Sequence, residues 1–429
     1  MLERARIGSL LALCEIIAVG ARCGKPLRAP NIVSQPSSVT VAMCQPATFA
    51  VAVSGTPPFT YEWMKDGVPV GGSAGAAYTL APAVPGDAGS YEVVVSNAAG
   101  SVTSAAATLT VTDPGPPPPG PSVVAAEAGN SVVRAGDAII WAFNGYVHAT
   151  SSFCPGVVRS ITDDPQVLAF NLTTDGKQLF WADGNPGGGG IYTAGVGGQG
   201  LSMVAHSAFE VGGLALVGTQ LIWTDMYNED IEMVPVVGGG VTTYSVAFPA
   251  GLSGPGAIAG DGQNVYWSDW NGSAWVDVQT DMIRWRTAGG DLVTVANDQG
   301  LVSGVATDGQ LVYWVTTIGT APNLTSAVRS VSVTVGNIVE LARLPGSTGG
   351  FLFIDGNDLY WTSTAVAVPG GITGAGALSK VPKDGSSASV ILVGNLAFPG
   401  GVYADAQFVY WAEYSIGGNG NARIMRIPK

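Results

Sequence analysis

Seven copies of one short phrase occupy residues 132–414 and constrain the fold more than any other feature of the chain. Each copy has an apolar run, a turn that is often Asp-Gly, and a second apolar run that ends in tryptophan. The tryptophans stand 40 to 50 positions apart, at Trp141, Trp181, Trp223, Trp267, Trp314, Trp361 and Trp411. That period is the length of one four-stranded sheet in a ring of repeated sheets.

The strand pattern inside a copy predicts how such a ring closes. In the second copy we expect strands at 172–174, 178–181, 190–194 and 201–205, with a hairpin turn at Asp175-Gly176. The last copy ends without a fourth strand, and residues 122–126 are expected to supply it, because an open array would leave both edges exposed. We therefore predict an all-β chain in which residues 122–429 form a seven-bladed β-propeller.

The second strand of several copies resembles a known repeat. Trp223, Trp267 and Trp361 are each followed by Thr or Ser, and the first two then by Asp, as in the YWTD propellers of the low-density lipoprotein receptor type. The resemblance spans roughly residues 121–429 and implies the fold but no ligand, because blade number differs and Phe143, Thr316 and Ser363 stand where Asp is expected. We interpret the recurrent Trp and Asp as packing and turn-capping residues.

An earlier segment, residues 30–112, is similar to an immunoglobulin I-set domain of the kind found in bacterial proteins. The resemblance rests on the order and spacing of Gln35-Pro36, Tyr61-Glu-Trp63, Asp87-Ala-Gly-Ser-Tyr91 and Ser96-Asn-Ala-Ala-Gly100. It implies that Trp63 is the core tryptophan and Tyr91 the corner tyrosine of a β-sandwich. The family's two core cysteines are replaced by Val51 and Val93. The module therefore indicates adhesion or spacing rather than catalysis.

The segments outside these modules point to export. Residues 1–20 place Arg4 and Arg6 before an apolar stretch and predict a signal peptide. Residues 113–121 form a Pro-rich linker, which is expected to be stiff and extended. We expect a secreted, periplasmic or cell-surface protein with no membrane insertion beyond the signal segment.

The four cysteines do not make a disulfide framework. Cys44 and Cys154 are expected to be isolated thiols, with pairing of Cys23 and Cys44, or lipidation of Cys23, left open as alternatives. The net charge of −13 makes nucleic acid an unlikely partner. The sequence has two histidines and no catalytic or metal-binding motif. We therefore predict no catalytic residue, no metal site and no cofactor.

The residues that differ from copy to copy predict the functional surface. The loops between second and third strands carry aromatic and acidic side chains, and flat rings with short polar groups are typical of sugar or peptide recognition. The predicted ligand-binding residues are Trp270, Trp275, Tyr227, Tyr414, Asp277, Glu229 and Asp230. We expect a non-enzymatic binding or adhesion protein for a glycan or peptide. The alternatives are a lyase or glycan-active hydrolase with carboxylates in the central funnel, and a purely structural surface component.

Overall fold

The structure is a computed structural model. It describes residues 26–429 except 72–74, 113–119, 128, 144–145, 152–153, 155, 157, 163–168, 184–188, 207–210, 226–227, 245–254, 270–281, 287–291, 298, 321, 335, 369–370, 374–375, 397 and 414–421. The chain divides into two compact units, Met1–Pro114 and Gly115–Lys429. The expected signal peptide and most of the expected linker lie outside the described residues. No helix in the described part is long and apolar enough to span a bilayer.

The first unit is a β-sandwich. Its main sheet runs β2-β10-β8-β5-β6 with β9 on β8, β1 pairs with β4, and β3 pairs with β7. Strand β2 lies parallel to β10 and the other pairs are antiparallel. The strands are β1 (Asn31–Ser34), β2 (Val39–Ala42), β3 (Ala47–Ala50), β4 (Ala52–Ser54), β5 (Thr60–Lys65), β6 (Val68–Pro69), β7 (Ala77–Leu80), β8 (Gly89–Asn97), β9 (Gly100–Thr103) and β10 (Ala107–Thr112). A single 3-10 turn, Pro85–Asp87, is the one helical element in the described part of the chain.

The core of this sandwich is built around Trp63. Its side chain is fully buried in a cluster that includes Val51 and Val93. Its indole Nε1 donates a hydrogen bond of 3.0 Å to the carbonyl of Gly75, so the polar edge of the ring is satisfied inside the core. The prediction that aliphatic packing around Trp63 fills the position of the core cysteines is confirmed.

Tyr91 holds the corner at which β8 begins. Its hydroxyl donates a 2.8 Å hydrogen bond to the carbonyl of Asp87, four residues upstream, and its ring stacks on Phe49 with centroids 4.7 Å apart. A tyrosine that ties a strand to the preceding turn is a hallmark of immunoglobulin-type sandwiches, and the predicted role of Tyr91 is confirmed.

The described part of the second unit forms seven antiparallel sheets, numbered 1 to 7 in chain order. Sheets 1 to 5 have four strands each, in chain order; in sheet 6 the extra strand β34 pairs only with the far end of β33. After β11 (Ser122–Ala125), sheets 1 to 3 contain β12 (Ser131–Ala135), β13 (Ala138–Phe143), β14 (Tyr146–Ser151) and β15 (Arg159–Thr162); β16 (Ala169–Thr174), β17 (Gln178–Asp183), β18 (Gly190–Gly195) and β19 (Ser202–His206); β20 (Val211–Val217), β21 (Gln220–Asp225), β22 (Asp230–Pro235) and β23 (Thr242–Thr243). Sheets 4 to 7 contain β24 (Pro255–Gly260), β25 (Val265–Asp269), β26 (Met282–Arg286) and β27 (Leu292–Ala296); β28 (Leu301–Thr307), β29 (Leu311–Ile318), β30 (Thr325–Ser332) and β31 (Val339–Pro345); β32 (Ser347–Asp355), β33 (Asp358–Val368), β34 (Gly371–Thr373), β35 (Gly376–Pro382) and β36 (Val390–Leu396); β37 (Pro399–Ala404), β38 (Phe408–Glu413) and β39 (Arg423–Pro428).

Sheet 7 combines both ends of this unit. Strand β11 pairs antiparallel with β39, with Ser122 opposite Arg426 and Ala125 opposite Ile424. Val124 and Ala125 are buried in the same apolar cluster as Ile424. The C-terminal sheet therefore has four strands because the chain before sheet 1 contributes its outer strand.

The first strands of the seven sheets are neighbours in a closed circuit. In order, β12, β16, β20, β24, β28, β32 and β37 each lie beside the next, and β37 also lies beside β12. Each sheet keeps its own hydrogen-bond ladder, and among the described strands no single sheet closes on itself.

The repeat tryptophans join each sheet to its neighbour. All seven are buried, with at most 2% of the side chain exposed. Successive strand residues point to opposite faces, so the residue just before the tryptophan packs against the tryptophan of the next sheet. The resulting pairs within one apolar cluster are Ile140 with Trp181, Phe180 with Trp223, Ile222 with Trp267, Tyr266 with Trp314, Tyr313 with Trp361, Tyr360 with Trp411, and Tyr410 with Trp141. The expected packing role of the tryptophans is confirmed.

The repeat aspartates cap the turns between first and second strands. In four sheets Oδ1 accepts hydrogen bonds of 2.7 to 3.0 Å from the backbone N–H groups two and three residues later. These aspartates are Asp175, Asp261, Asp308 and Asp405. Short carboxylates that bind the following backbone stabilise tight turns, and these four aspartates do so between the first and second strands.

The cysteines differ from expectation. Cys44 and Cys154 are both disulfide-bonded, and Cys154 is fully buried. The expectation of isolated thiols is therefore wrong for both. One cysteine in each module and two before residue 30 did not reveal this, because sequence separation carries no information on which sulfurs meet in space.

We expect Trp63→Ala to destabilise the immunoglobulin-like unit by about 3 to 5 kcal/mol, because it removes a large, fully buried ring from the sandwich core. Urea unfolding followed by near-UV circular dichroism measures the loss. Val68→Ala, at a side chain that is 65% exposed in the adjacent strand, is the control and should change the free energy of unfolding by less than about 0.5 kcal/mol. Equal effects of the two substitutions would contradict the assigned core.

Val123 and Val124 offer a matched test of the β11 pairing. Val124 is 1% exposed and Val123 is 46% exposed, so only Val124→Ala removes buried apolar surface. We expect Val124→Ala to cost about 2 kcal/mol and Val123→Ala less than about 0.5 kcal/mol in thermal unfolding of the full chain. If Val124→Ala is silent, β11 does not seal sheet 7.

Candidate functional site

The structure describes two of the seven predicted ligand-binding residues. Glu229 is exposed in the hairpin between β21 and β22, and Asp230 is half-buried at the start of β22. The other five, Trp270, Trp275, Tyr227, Tyr414 and Asp277, lie outside the described residues. The strands that precede them in the sequence are described: Trp270 directly follows β25, and Tyr414 directly follows β38.

Those strand ends share one end of each sheet. In sheet 3 the register places Val211, the first residue of β20, opposite Asp225, and Asp225 opposite Asp230. In sheet 4 it places Pro255 opposite Asp269. We call this end of each sheet the bulge end, because β20 and β24 have a β-bulge near their first residue. The loops that follow β21, β25 and β38 all leave from it.

Four sheets carry a carboxylate at the bulge end, two residues after the repeat tryptophan: Asp183, Asp225, Asp269 and Glu413. Two of these hold the indole of their own strand. Trp267 Nε1 donates to Asp269 Oδ1 at 2.7 Å, and Trp411 Nε1 donates to Glu413 Oε1 at 2.9 Å. Arg423 Nε also donates to Glu413 at 2.9 Å. Asp269 and Glu413 therefore each bind groups of the protein itself.

Asp225 organises the hairpin that carries Glu229. Its side chain is fully buried, and its two oxygens accept 2.9 Å hydrogen bonds from the backbone N–H and the side-chain amide of Asn228. Glu229 then adopts a φ of +55°, a left-handed conformation that is uncommon for a residue with a side chain. The turn thus leaves Glu229 in solvent while it keeps Asp225 covered.

Two further carboxylates of this hairpin have raised pKa values. Burial raises the pKa of Asp230, and the negative charge of Asp225 raises it further. Burial raises the pKa of Glu232 to about 7, with added repulsion from Asp230 and Asp225 and partial opposition from the Trp223 indole. Asp230 Oδ1 and Glu232 Oε2 are buried and accept no hydrogen bond from any described residue. Glu232, which the sequence reading did not select, is therefore the most perturbed acid at this end.

The first strands carry the feature that names the bulge end. In sheets 2 to 7 the register with the second strand shifts near the start of the first strand. Glycines stand at these bulges where the next strand approaches closely. A Cβ on Gly213 would lie 2.9 Å from Ile258 Cγ2, and one on Gly401 would lie 2.9 Å from Ser131 Cα. The sequence reading missed these glycines, although Gly-Gly at 212–213, 349–350 and 400–401 recurs at this position of the repeat.

The closed circuit of first strands surrounds one cavity of about 580 Å³, a volume typical of small-molecule sites. Every one of the seven first strands contributes to its wall. Hydroxyl, amide and aromatic groups from five of them line it: Ser131, Asn171, Thr173, Ser303, Phe351, Phe353 and Tyr403. Arg134 is the one charged residue in the described lining, and its guanidinium binds Asp405.

Neither histidine is part of the described cavity lining. His206 is exposed at the end of β19, and His148 Nδ1 lies 2.5 Å from Glu127 Oε2. Among the described residues no group of three or more His, Cys, Asp or Glu side chains is arranged to hold a metal ion.

Comparison with known families accounts for the first unit. Residues 30–111 match the immunoglobulin I-set domain. This segment is an immunoglobulin I-set domain. Its strand order, its buried Trp63 and its Tyr91 corner agree with that assignment. A solved complex of titin M10 with an obscurin-like immunoglobulin domain is 32% identical, covers 21% of this chain and 99% of that chain, and has a TM-score of 0.20.

Two curated proteins are similar over short segments. A decoration protein of Escherichia phage T5 is 38% identical over 73 residues, which is 17% of this chain and 40% of that protein. Endoglucanase C of Cellulomonas fimi is 38% identical over 89 residues, which is 19% of this chain and 8% of that protein. The chain thus spans less than half the length of either relative. A prolyl endopeptidase structure covers 70% of this chain and 46% of its own at 14% identity, with a TM-score of 0.48 that is too low to support an argument.

The raised pKa of Glu232 predicts a pH-dependent loss of stability. The folded protein holds this proton up to a pH of about 7, whereas the unfolded chain releases it near the ordinary glutamate pKa of 4.5. The stabilisation from the protonated carboxyl is therefore complete below pH 4.5 and is lost as the pH rises to about 7. We expect Glu232→Gln to have little effect at pH 4.5 and to raise the melting temperature at pH 8.

The measurement is thermal unfolding of both proteins between pH 4.5 and 8. Glu229→Gln removes an exposed carboxylate from the same hairpin and serves as the control. A melting-temperature gain that is the same at every pH, or one that Glu229→Gln reproduces, would contradict the burial of an unfavourable charge at Glu232.

Proposed function

We propose that residues 122–429 form a seven-bladed β-propeller of YWTD-like repeats and that its bulge end binds an extracellular glycan or peptide. The single observation that carries this proposal is the cavity enclosed by seven first strands, with neutral polar and aromatic walls. The closed circuit of first strands and the matching circuit of tryptophan contacts support the propeller. Concave sites with a few convergent polar groups are the usual places of small-ligand recognition.

The ligand surface extends from the cavity over the bulge-end loops. In the sequence, Trp270, Trp275, Tyr227, Tyr414 and Asp277 follow second strands that end here, as Glu229 and Asp230 do. Aromatic rings provide stacking area at a small cost in conformational entropy, and short polar groups orient what is stacked. This combination favours recognition of a glycan or a peptide over recognition of a polyanion.

The immunoglobulin I-set domain serves as a spacer or second adhesion module of a secreted, periplasmic or cell-surface protein. The segment similar to a phage decoration protein and to an endoglucanase supports a role at a surface or near polysaccharide. The net charge of −13 disfavours nucleic acid and anionic membranes as partners.

A glycan-active hydrolase is the second candidate, because Glu232 has a pKa of about 7. A carboxyl that stays protonated near neutral pH is suited to act as a general acid. Glu232 lies on the third strand of sheet 3, away from the described cavity lining, which contains no carboxylate. Binding therefore has the stronger structural support. Release of reducing ends from a bound glycan, abolished by Glu232→Gln, would favour the hydrolase.

The test is a glycan and peptide array probed with the full chain. We expect binding to at least one class, and we expect Trp270→Ala to lower the affinity on the order of tenfold, because a stacked ring contributes about 1 kcal/mol or more. If Trp270 acts in binding and not in folding, the melting temperature should stay within about 1 °C of the parent.

Leu201→Ala is the control, because Leu201 is 49% exposed beside β19 at the end opposite the bulge end. It should leave binding unchanged. A chain that binds nothing on the array would support the third reading, a purely structural surface component, and would sink the binding proposal.

A further inference from the structure

Phe351 presents an exposed aromatic ring inside the cavity. Its side chain is 41% exposed although it lies in β32, whose backbone is part of the innermost circuit. It is one of the wall residues of the cavity, together with the more buried Phe353 and Tyr403, whose rings are 4.7 Å apart. An exposed flat ring offers a face on which a planar or ring-shaped ligand can stack.

The polar groups that share the cavity lining with Phe351 are neutral, apart from Arg134. Ser303, on the preceding first strand, is exposed to the cavity, and Asn171 lies in its wall. Asn171 Nδ2 donates to the carbonyl of Val211 at 3.2 Å, which orients the amide. The guanidinium of Arg134 is engaged by Asp405. An anionic or cationic ligand would therefore lose its hydration in this cavity without gaining a free countercharge.

The backbone of the bulges is already hydrogen-bonded. The N–H groups of Leu172, Ala257 and Phe351 donate to Ser131 Oγ, Ser268 Oγ and Thr362 Oγ1 at 3.0 to 3.2 Å. The N–H of Gly349 donates to Thr317 Oγ1 and that of Gly401 to the carbonyl of Asn130, both at 2.9 Å. A peptide strand that recognises its partner through main-chain pairing finds these donors occupied. The occupation of these donors favours recognition through side chains.

We propose that the cavity binds one uncharged sugar unit, stacked on Phe351 and hydrogen-bonded by Ser303 and Asn171. The inference deepens the proposed function and rests on it, because it names the ligand class within the bulge-end surface. A sugar ring has an apolar face for the phenyl ring and hydroxyls that both donate and accept, which matches a serine hydroxyl and an amide oxygen.

The experiment is isothermal titration of the full chain with neutral gluco-, manno- and xylo-oligosaccharides, with uronate oligosaccharides of equal length, and with the peptides of the array. We expect one neutral series to bind. Phe351→Ala and Phe351→Leu should both weaken it about tenfold, because leucine restores the bulk but not the flat ring, and Phe351→Trp should retain it. Ser303→Ala should weaken it several-fold.

Ile391→Ala is the matched control, at an exposed apolar side chain of the outer strand β36, and should leave the affinity unchanged. Melting temperatures of all variants report whether the fold persists. Neutral-sugar binding that Trp270→Ala abolishes and Phe351→Ala leaves intact would overturn the cavity site while the proposed function stands. Equal binding of uronate oligosaccharides, or binding of peptides alone, would overturn the ligand class. Failure of every probe to bind would overturn both proposals.

Discussion

The contact on which the second unit depends is that between each repeat tryptophan and the residue before the tryptophan of the neighbouring sheet. The side chains of two consecutive strand residues point to opposite faces. The second strand of each sheet therefore packs its tryptophan against the preceding sheet and the residue before the tryptophan against the following sheet. The series closes where Trp141 of sheet 1 meets Tyr410 of sheet 7. Each sheet alone leaves both of its faces uncovered, so this last contact covers the remaining face of sheet 1. Val124 of β11 lies in the same apolar cluster, so strand β11 contributes to the stability of the whole unit.

The glycine bulges permit the inner strands to approach each other around the cavity. A Cβ on Gly304 would stand 3.0 Å from the backbone N of Leu352, so any larger residue would push sheets 5 and 6 apart. Hydroxyls after the tryptophan then link neighbouring sheets, since Thr224 donates to the carbonyl of Gly256 at 2.9 Å and Thr362 to that of Gly400 at 3.1 Å. Neighbouring sheets are thus joined by packing at the tryptophans and by hydrogen bonds at the bulges.

The periodic features of the structure could be predicted from the sequence. The features that depend on contacts between distant segments could not. The spacing of the tryptophans and the Asp turns gave the four-stranded sheets, and the motif order around Trp63 gave the sandwich. Gly-Gly reads locally as a loop, so the bulges could not be recognised until the neighbouring strand was in place. Phe351 carries no motif, and its exposure depends on a cavity that seven distant segments enclose. Asp230 was selected as a ligand residue, whereas its raised pKa arises from burial and from Asp225 beside it, which no spacing rule encodes.

The distribution of charge explains why a strongly acidic chain encloses a neutral cavity. At the end opposite the bulge end, where turns join the first and second strands, acidic side chains bind basic side chains of the next sheet. Lys383 Nζ donates to Asp308 at 2.8 Å, Lys429 binds Asp355, and Arg134 binds Asp405. Burial raises the pKa of Asp308, but hydrogen bonds from Lys383 and the turn backbone outweigh it and hold the pKa at about 2. At the bulge end Asp269 and Glu413 hold indole N–H groups. These carboxylates thus join or brace sheets, and the described cavity lining contains no carboxylate. Hydroxyl, amide and aromatic groups remain for recognition there, so selectivity in the cavity follows from shape and stacking rather than from charge.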